Sequence, residues 1–396
     1  MSSPSPSAAP GSPGSLRSAN QSRVVRLLRE GGESWTQADL ARATGLAPAT
    51  VSTIVRDLHD HGLVDVVPGS GRRGAAVRLS SSAGTVIGID FGHSHVAVAV
   101  GDLAGNVISE DRHHTGGGED HREALALAHA MLEGLGAFSD ESPHVRAVGL
   151  GLPAPIADEL VEGDAIFPGW HGVNARKAAE AVLGCPALVE NDANLGALAE
   201  HRVGAGRGHA SSVFIKTSSG VGAGIIIDGE LFRGAGGTAG EIGHLTLDDQ
   251  GPVCRCGKRG CLEAYTSTPF VQQQLAGQLP ETPGQTDVDT VVAAARDGNI
   301  AARRALEEAG LHLGRGLASI VNLLNPALVA VGGDMARAGE LLLEPARIGL
   351  RRYALDSVAS TPIVAGELGA RASLVGAILL AAENTDVSSA SSFATT

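Results

Sequence analysis

Aromatic side chains are scarce in this 396-residue chain, at 3% of the total, with seven Phe, two Trp and two Tyr. That scarcity argues against an aromatic-cored β-sandwich. There are four cysteines, three of them close together at 254–261, too few for a disulfide scaffold. No apolar run approaches the ~20 residues that a bilayer crossing requires. The opening MSSPSPSAAPGSPGS has neither the basic start nor the apolar stretch of a secretory signal. These absences predict a soluble cytoplasmic protein with no membrane partner.

Glycine, by contrast, is abundant, at 54 residues, in a composition 43% hydrophobic and 18% charged. That is too apolar for a disordered chain and reads as an Ala/Val/Gly-rich α/β protein with tight turns. At ~150 residues per domain, the length predicts two or three domains. The net charge of −13 is unevenly held: through Ser82 nine arginines oppose six acidic residues, and beyond it 21 basic residues face 37 acidic ones. A basic head on an acidic body predicts that only the head meets a polyanion.

Composition also sets the expected boundaries. Residues 1–19 read as a disordered Ser/Pro/Ala/Gly tail, and 384–396 as a similar one. A helical head with a basic turn occupies 20–82. The body alternates β-like runs (85–100, 147–152, 187–189, 212–227, 327–331) with helical ones (121–136, 174–183, 300–324), as layered α/β proteins do. Two runs, IGIDFGHSHVAVAV and VFIKTSSGVGAGIII, share one plan, a strand turning through Gly into another. This predicts two related lobes, 83–195 and 196–383.

In the head, residues 36–45 read as a short helix ending at Gly45, followed by Pro48 at the first position of a second helix. Val51, Ile54, Val55 and Leu58 follow i, i+3, i+4, i+7 spacing and share one buried face. Thr50, Ser52, Thr53 and Arg56 fall on the other. Short polar groups at the start of a second helix are what helix-turn-helix geometry offers to base edges and phosphates. Val66–Leu79 then reads as two strands around a Gly/Arg loop, a wing whose tip carries Arg72 and Arg73 for a minor groove or phosphate. A small interaction module would share some of these features; the joint pattern predicts a winged helix-turn-helix domain bound to double-stranded operator DNA.

His244-x9-Cys254-x-Cys256-x4-Cys261 places one imidazole and three thiols in a Gly-rich loop. Soft thiolates plus one imidazole at four positions match a closed, tetrahedral structural zinc site. Cys185 stands apart and reads as a core residue. If His244 and Cys261 meet at zinc, Glu241 and Glu263 are pinned near the same point, and two positioned carboxylates can accept hydrogen bonds from adjacent hydroxyls. Asn191 and Asp192 end a strand and begin a helix, at a strand tip where α/β sites lie.

Three motifs, Glu241–His244 (ExGH), Cys254–Glu263 (CxCGxxGCxE) and Glu190–Asp192 (END), make the chain resemble the ROK family of repressors, uncharacterised reading frames and sugar kinases, from Thr85 to about Asn384. The resemblance implies a two-lobed actin/hexokinase-like ATPase fold with sugar between the lobes and the C-terminal helix returning to the first lobe. It implies sugar contacts from Asn191, Asp192, Glu241, His244 and Glu263, with Asp192 the general base in kinase members, and zinc held by His244, Cys254, Cys256 and Cys261. The family's first phosphate loop is matched at Asp90 and Gly92, but His93 stands where kinases place a second Gly. A ring there hinders the approach of backbone N–H groups to phosphate. The second loop, from Thr217 through Gly220 to Gly224, stays Gly-rich and suits a phosphate. Phe167–Trp170 lacks the Asn that kinase members often place there.

A winged head on such a body implies a sugar-responsive transcriptional regulator, a repressor of carbohydrate-utilisation genes released by sugar, acting as a homodimer or homotetramer. The alternative is a glucokinase-like, ATP- and magnesium-dependent sugar kinase that retains a DNA-binding head.

Overall fold

The computed structural model describes residues 13–30, 35–68, 74–80, 82–139, 142–157, 160–162, 167–278 and 288–385. The head comprises α1 (Pro13–Glu30), β1 (Trp35–Thr36), α2 (Gln37–Thr44), α3 (Pro48–Asp60), β2 (Val64–Val67) and β3 (Ala76–Leu79). Helix α1 begins at Pro13, so residues 13–19, read from composition as tail, are helical. The two wing strands pair antiparallel, and β1 adds a third strand on β3, which the sequence reading did not anticipate.

The first lobe holds β4 (Thr85–Phe91), β5 (His95–Asp102), β6 (Val107–His114), α4 (His121–Gly134), β7 (Val145–Leu152), the short hairpin β8 (Ile156–Ala157) and β9 (Leu160–Val161), α5 (Ala175–Leu183) and β10 (Ala187–Asn191). The second holds α6 (Asp192–Val203), β11 (Ser212–Thr217), β12 (Val221–Ile227), β13 (Glu230–Leu231), α7 (Glu263–Thr266), α8 (Thr268–Gln274), α9 (Val288–Arg296), α10 (Ile300–Leu324), β14 (Val329–Gly332), α11 (Glu340–Tyr353), β15 (Ile363–Ala365) and α12 (Ala372–Asn384).

The two five-stranded sheets have one topology. The first runs β10-β7-β4-β5-β6 and the second, from the other edge, β15-β14-β11-β12-β13. In each, the first three strands pair parallel and the last two pairings are antiparallel, so only the fourth strand runs against the rest. Both shared sequence runs therefore become the hairpin at the centre of a sheet, β4–β5 and β11–β12. Strand β4 is buried at every position, as a central strand covered on both faces must be.

Helix α12 is apolar around nearly its whole circumference, and residues 372–382 are all buried. It crosses back onto β4, β5 and β7 of the first lobe and packs beside α6. Its Ile378 belongs to a continuous buried cluster that also contains Val24 of α1, Leu40 of α2, Leu58 of α3, Val77 of β3 and Val86 and Ala147 of the first lobe. Head and body thus share one core. Among the described residues, no helix is long and apolar enough to cross a membrane.

Candidate functional site

In the head, Thr36 caps α2 through a reciprocal bond pair with Asp39, and Gly45 ends it at φ 70°, a conformation open chiefly to glycine. Ala47 is extended and Pro48 opens α3. Val51, Ile54, Val55 and Leu58 are buried, as their spacing predicts. Ser52, Thr53 and Arg56 are exposed on the opposite face and Thr50 is half-buried. The Thr53 hydroxyl donates to the Ala49 carbonyl at 3.0 Å, so its hydrogen is used locally. Arg72 and Arg73 lie outside the described residues.

The cleft between the lobes gathers the other candidates. Its lining includes Asp90 and Gly92 from the first lobe, Asn191 and Asp192 at the β10–α6 junction, and Gly220, Glu241, His244 and Glu263 from the second. Thr217 is not among them: its buried hydroxyl donates to the Thr266 carbonyl at 3.1 Å, and Ser218 and Ser219 form the cleft wall instead. Asn191 caps α6, its Oδ1 accepting from the Ala193 and Asn194 amides, while its Nδ2 donates to the Ala154 carbonyl at 3.3 Å. Beneath it, buried Glu190 accepts from the Asn194 amide group at 2.9 Å and pairs with Arg233 of the opposite lobe at 2.6 Å.

Three side chains outside the expected site residues, Lys216, His95 and Arg255, dominate the cleft's electrostatics. Lys216 Nζ lies 2.6 Å from Asp192 Oδ2, and His95 Nε2 lies 3.0 Å from Asp90 Oδ2. Arg255 grips Glu263 through two bonds, 2.7 Å from Nε and 2.9 Å from Nη2. Burial pushes the Asp90 carboxyl upward, but Lys216 and then His95 outweigh it and hold it down at about 2. Asp192 is pushed up by burial against the pull of Lys216, with the Asp90 charge adding. Lys216 is raised because two carboxylates face its ammonium and overcome the cost of burying it. Burial pushes Glu241 up to about 7, with Asp192 and Glu263 adding repulsion. Burial, then Arg255 and Lys216, brings His93 down to about 4, which leaves it neutral at neutral pH. The signal for Lys216 was present: it is the one charge in a run, VFIKT, whose alternate Val213 and Ile215 enter the core.

Two of these side chains also occupy the glycine loops. The His95 ring sits where a Cβ on Gly92 would be, and the Arg255 guanidinium where a Cβ on Gly220 would be. Only about 130 Å³ of free volume is left in the cleft, below the roughly 300–1,000 Å³ of small-molecule sites. With both loops filled and both buried aspartates engaged, Asp192 by Lys216 and Asp90 by His95, the residues present do not fit a magnesium nucleotide in this conformation.

The four zinc candidates converge. Cys256 and Cys261 sulfurs are 3.7 Å apart, Cys254 Sγ is 3.8 Å from His244 Nδ1, and all four donor atoms lie within 4.8 Å of one another. Tetrahedral zinc with Zn–S of about 2.3 Å would separate two sulfurs by about 3.8 Å. The cluster can hold a metal ion, which would supply fold stability without an open coordination position. His244 turns its other nitrogen, Nε2, toward Glu241 at 3.9 Å, so one ring faces both the thiols and the cleft. Cys185 is buried away from this cluster, and burial pushes its thiol up to about 11.

Comparison with known proteins matches this arrangement. The model described as "ROK family" matches residues 86–384, and that described as "MarR family" matches 17–74. A xylose repressor from Caldicellulosiruptor bescii is 30% identical over 351 residues, covering 84% of this chain and 87% of the relative. The crystal structure of a ROK family transcriptional regulator, a homologue of the Escherichia coli MLC protein, superposes with a TM-score of 0.79 at 25% identity, covering 94% of this chain and 98% of that one. A ROK family glucokinase from Streptomyces griseus, solved with glucose and AMPPNP, reaches 0.65 at 31% identity, covering 75% of this chain and 99% of the other.

Proposed function

The chain belongs to the ROK family, and from that premise we propose a DNA-binding transcriptional regulator that responds to a sugar held between its lobes and represses carbohydrate-utilisation genes until that sugar arrives. The observation that carries this reading is the single core shared by head and body: Leu40 and Leu58 of the helix-turn-helix pack in one cluster with Val86 and with Ile378 of α12. The shared cluster gives a movement of α12 against the first sheet a packed route to α2 and α3.

In the proposed mechanism Asn191, Asp192, Glu241, His244 and Glu263 accept and donate hydrogen bonds to sugar hydroxyls. Zinc on His244, Cys254, Cys256 and Cys261 holds His244 and Glu263 in place. Thr50, Ser52, Thr53 and Arg56 of α3, with Arg72 and Arg73, contact operator DNA. Shifting the protein from mostly bound to mostly free requires sugar to favour one state by roughly 5 kcal/mol. A homodimer or homotetramer would present paired heads to half-sites one or more helical turns apart.

The test is anisotropy with fluorescent duplex from the gene's own upstream region, followed by single sugars. Salt-sensitive binding reversed by one sugar supports the reading and names the effector. Binding tightened by sugar keeps the regulator and overturns the release mechanism. The kinase alternative draws on the 31% identity to a glucokinase. It requires ADP release with some hexose, lost in Asp192→Asn, and absence of turnover across a broad hexose panel removes it.

A further inference from the structure

Helix α12 carries one polar side chain in its buried run 372–382, Ser373 in the first turn. Every other residue of that run is apolar or glycine, and a buried hydroxyl costs free energy unless its hydrogen bonds are made. Ser373 is 4% exposed and lies in the wall of the cleft. Its Oγ donates to the Asp192 carbonyl at 2.9 Å and accepts from Lys216 Nζ at 3.3 Å. Three elements therefore meet at one hydroxyl: the start of α6 at Asp192, β11 of the second lobe at Lys216, and α12.

The Lys216 ammonium is shared between Asp192 Oδ2, at 2.6 Å, and the Ser373 hydroxyl. A sugar hydroxyl donating to the Asp192 carboxylate competes with the ammonium for it. A shift of β11 against α6 changes the separation of the two groups that Ser373 bridges. The rest of α12 is bedded too closely to absorb that change locally. Gly376 leaves no room for a Cβ against the Leu195 carbonyl of α6, and Gly149 of β7 leaves none against the Ala377 carbonyl. Close-packed elements of this kind shift between discrete arrangements and do not deform continuously. The far end of the helix reaches the head, about 12 Å along its axis from Ser373 to Ala381. There Ile378, Ala381 and Ala382 share a core with Val24, Leu40 and Leu58, and Arg29 of α1 donates to the Glu383 carbonyl at 3.2 Å.

We infer, resting on the reading of the protein as a sugar-responsive regulator, that Ser373 is the positioning residue that transmits occupancy of the cleft to α12 and through it to the head. Its hydroxyl is engaged on both sides, by a carbonyl and an ammonium, so it holds its neighbours in register and leaves the sugar to the Asp192 carboxylate. Without the hydroxyl α12 keeps its apolar packing, but nothing on it registers a change at Lys216 or at the start of α6.

The test measures affinity of the full-length protein for duplex from its gene's upstream region, with and without D-glucose, D-xylose, D-mannose, D-galactose and N-acetyl-D-glucosamine in turn. Calorimetry with the same sugars follows sugar binding itself. In wild type one sugar is expected to change duplex affinity by at least about fivefold, the lower end of ordinary coupling between sites. In Ser373→Ala that ratio is expected to fall to within about twofold of one, although the variant still binds both sugar and duplex. Ser373→Cys, close in size with a weakly bonding thiol, carries the same expectation and serves if the alanine variant does not fold. A merely structural role for the hydroxyl would lower Tm and leave the ratio alone. An unchanged ratio beside a responsive wild type overturns the inference and leaves the regulator reading intact. Loss of sugar binding in the variant also overturns it, since Ser373 would then be a sugar contact. A wild type whose duplex affinity no sugar alters overturns the regulator reading, and this role of Ser373 with it.

Discussion

Lys216 Nζ stands 2.6 Å from Asp192 Oδ2, with both side chains at least four-fifths buried, and the same ammonium faces Asp90. Asp192 is the residue that the family resemblance marks as general base in kinases. Here its carboxylate is tied to an ammonium at the floor of the cleft. That relationship separates a sugar-binding role, which needs acceptors, from a phosphoryl-transfer role, which needs a free base and an open phosphate cradle.

Removing the cation should therefore be costly. Lys216→Met leaves two buried carboxylates facing each other without their counter-ion, and a loss of about 3–5 kcal/mol is expected at pH 7. Urea unfolding measures it. Adding Asp192→Asn should restore a substantial part, because the uncompensated charge is gone; a double variant no more stable than Lys216→Met would show that the ion pair is not the cause.

If zinc fills the cluster of His244 and the three thiols, Cys256→Ser is expected to lower the bound metal and to weaken sugar binding by roughly tenfold or more, as loss of a supporting shell does at ordered sites. Salt-dependent operator binding should change little, since the head's core draws nothing from the zinc loop. Metal analysis beside sugar calorimetry checks this, and normal sugar affinity in a zinc-free variant would sink the tether idea.

Glu241 supplies a pH dependence. Its carboxyl titrates near 7 in the folded protein against an ordinary value of 4.5. The folded state thus keeps a proton that the unfolded chain has lost, so stability from this group is full below pH 4.5 and falls as pH rises to 7. Glu241→Gln removes that loss. Its Tm should match wild type at pH 4.5 and exceed it at pH 8 in sugar-free protein. An advantage confined to acid pH would reverse the assignment.

Arg255 occupies both oxygens of Glu263, the groups a sugar would use. Arg255→Ala should raise sugar affinity, because the hydroxyls no longer compete with a bidentate guanidinium. Calorimetry of the variant with the effector sugar decides it; weaker binding would make Arg255 a sugar contact instead.

Arg56→Ala, on the exposed face of α3, should lower operator affinity and flatten the dependence of log K on log salt by about 0.9, one phosphate contact. An unchanged slope would remove Arg56 from the phosphate-contacting set.

The sequence alone determined what depends on local spacing. Val51, Ile54, Val55 and Leu58 repeat with the helical period, and Gly45 and Pro48 punctuate the turn before them, so α2, α3 and their buried face were readable. His244 and the three thiols fall within one short loop, so the loop's own folding brings them together. The duplicated strand–Gly–strand plan revealed two lobes because each copy folds as one hairpin. Tertiary structure decided the rest. Lys216 meets Asp192 across 24 positions because β11 and the start of α6 are neighbours in the second lobe, and no periodicity records strand order. Helix α12 returns to the first sheet, as the resemblance implied, but that its Glu383 there meets Arg29 across 354 positions is set by which apolar faces can be covered at once. Arg255 and His95 were visible as residues, but only close packing against Gly220 and Gly92 turned them into occupants of the loops that a phosphate would otherwise fill.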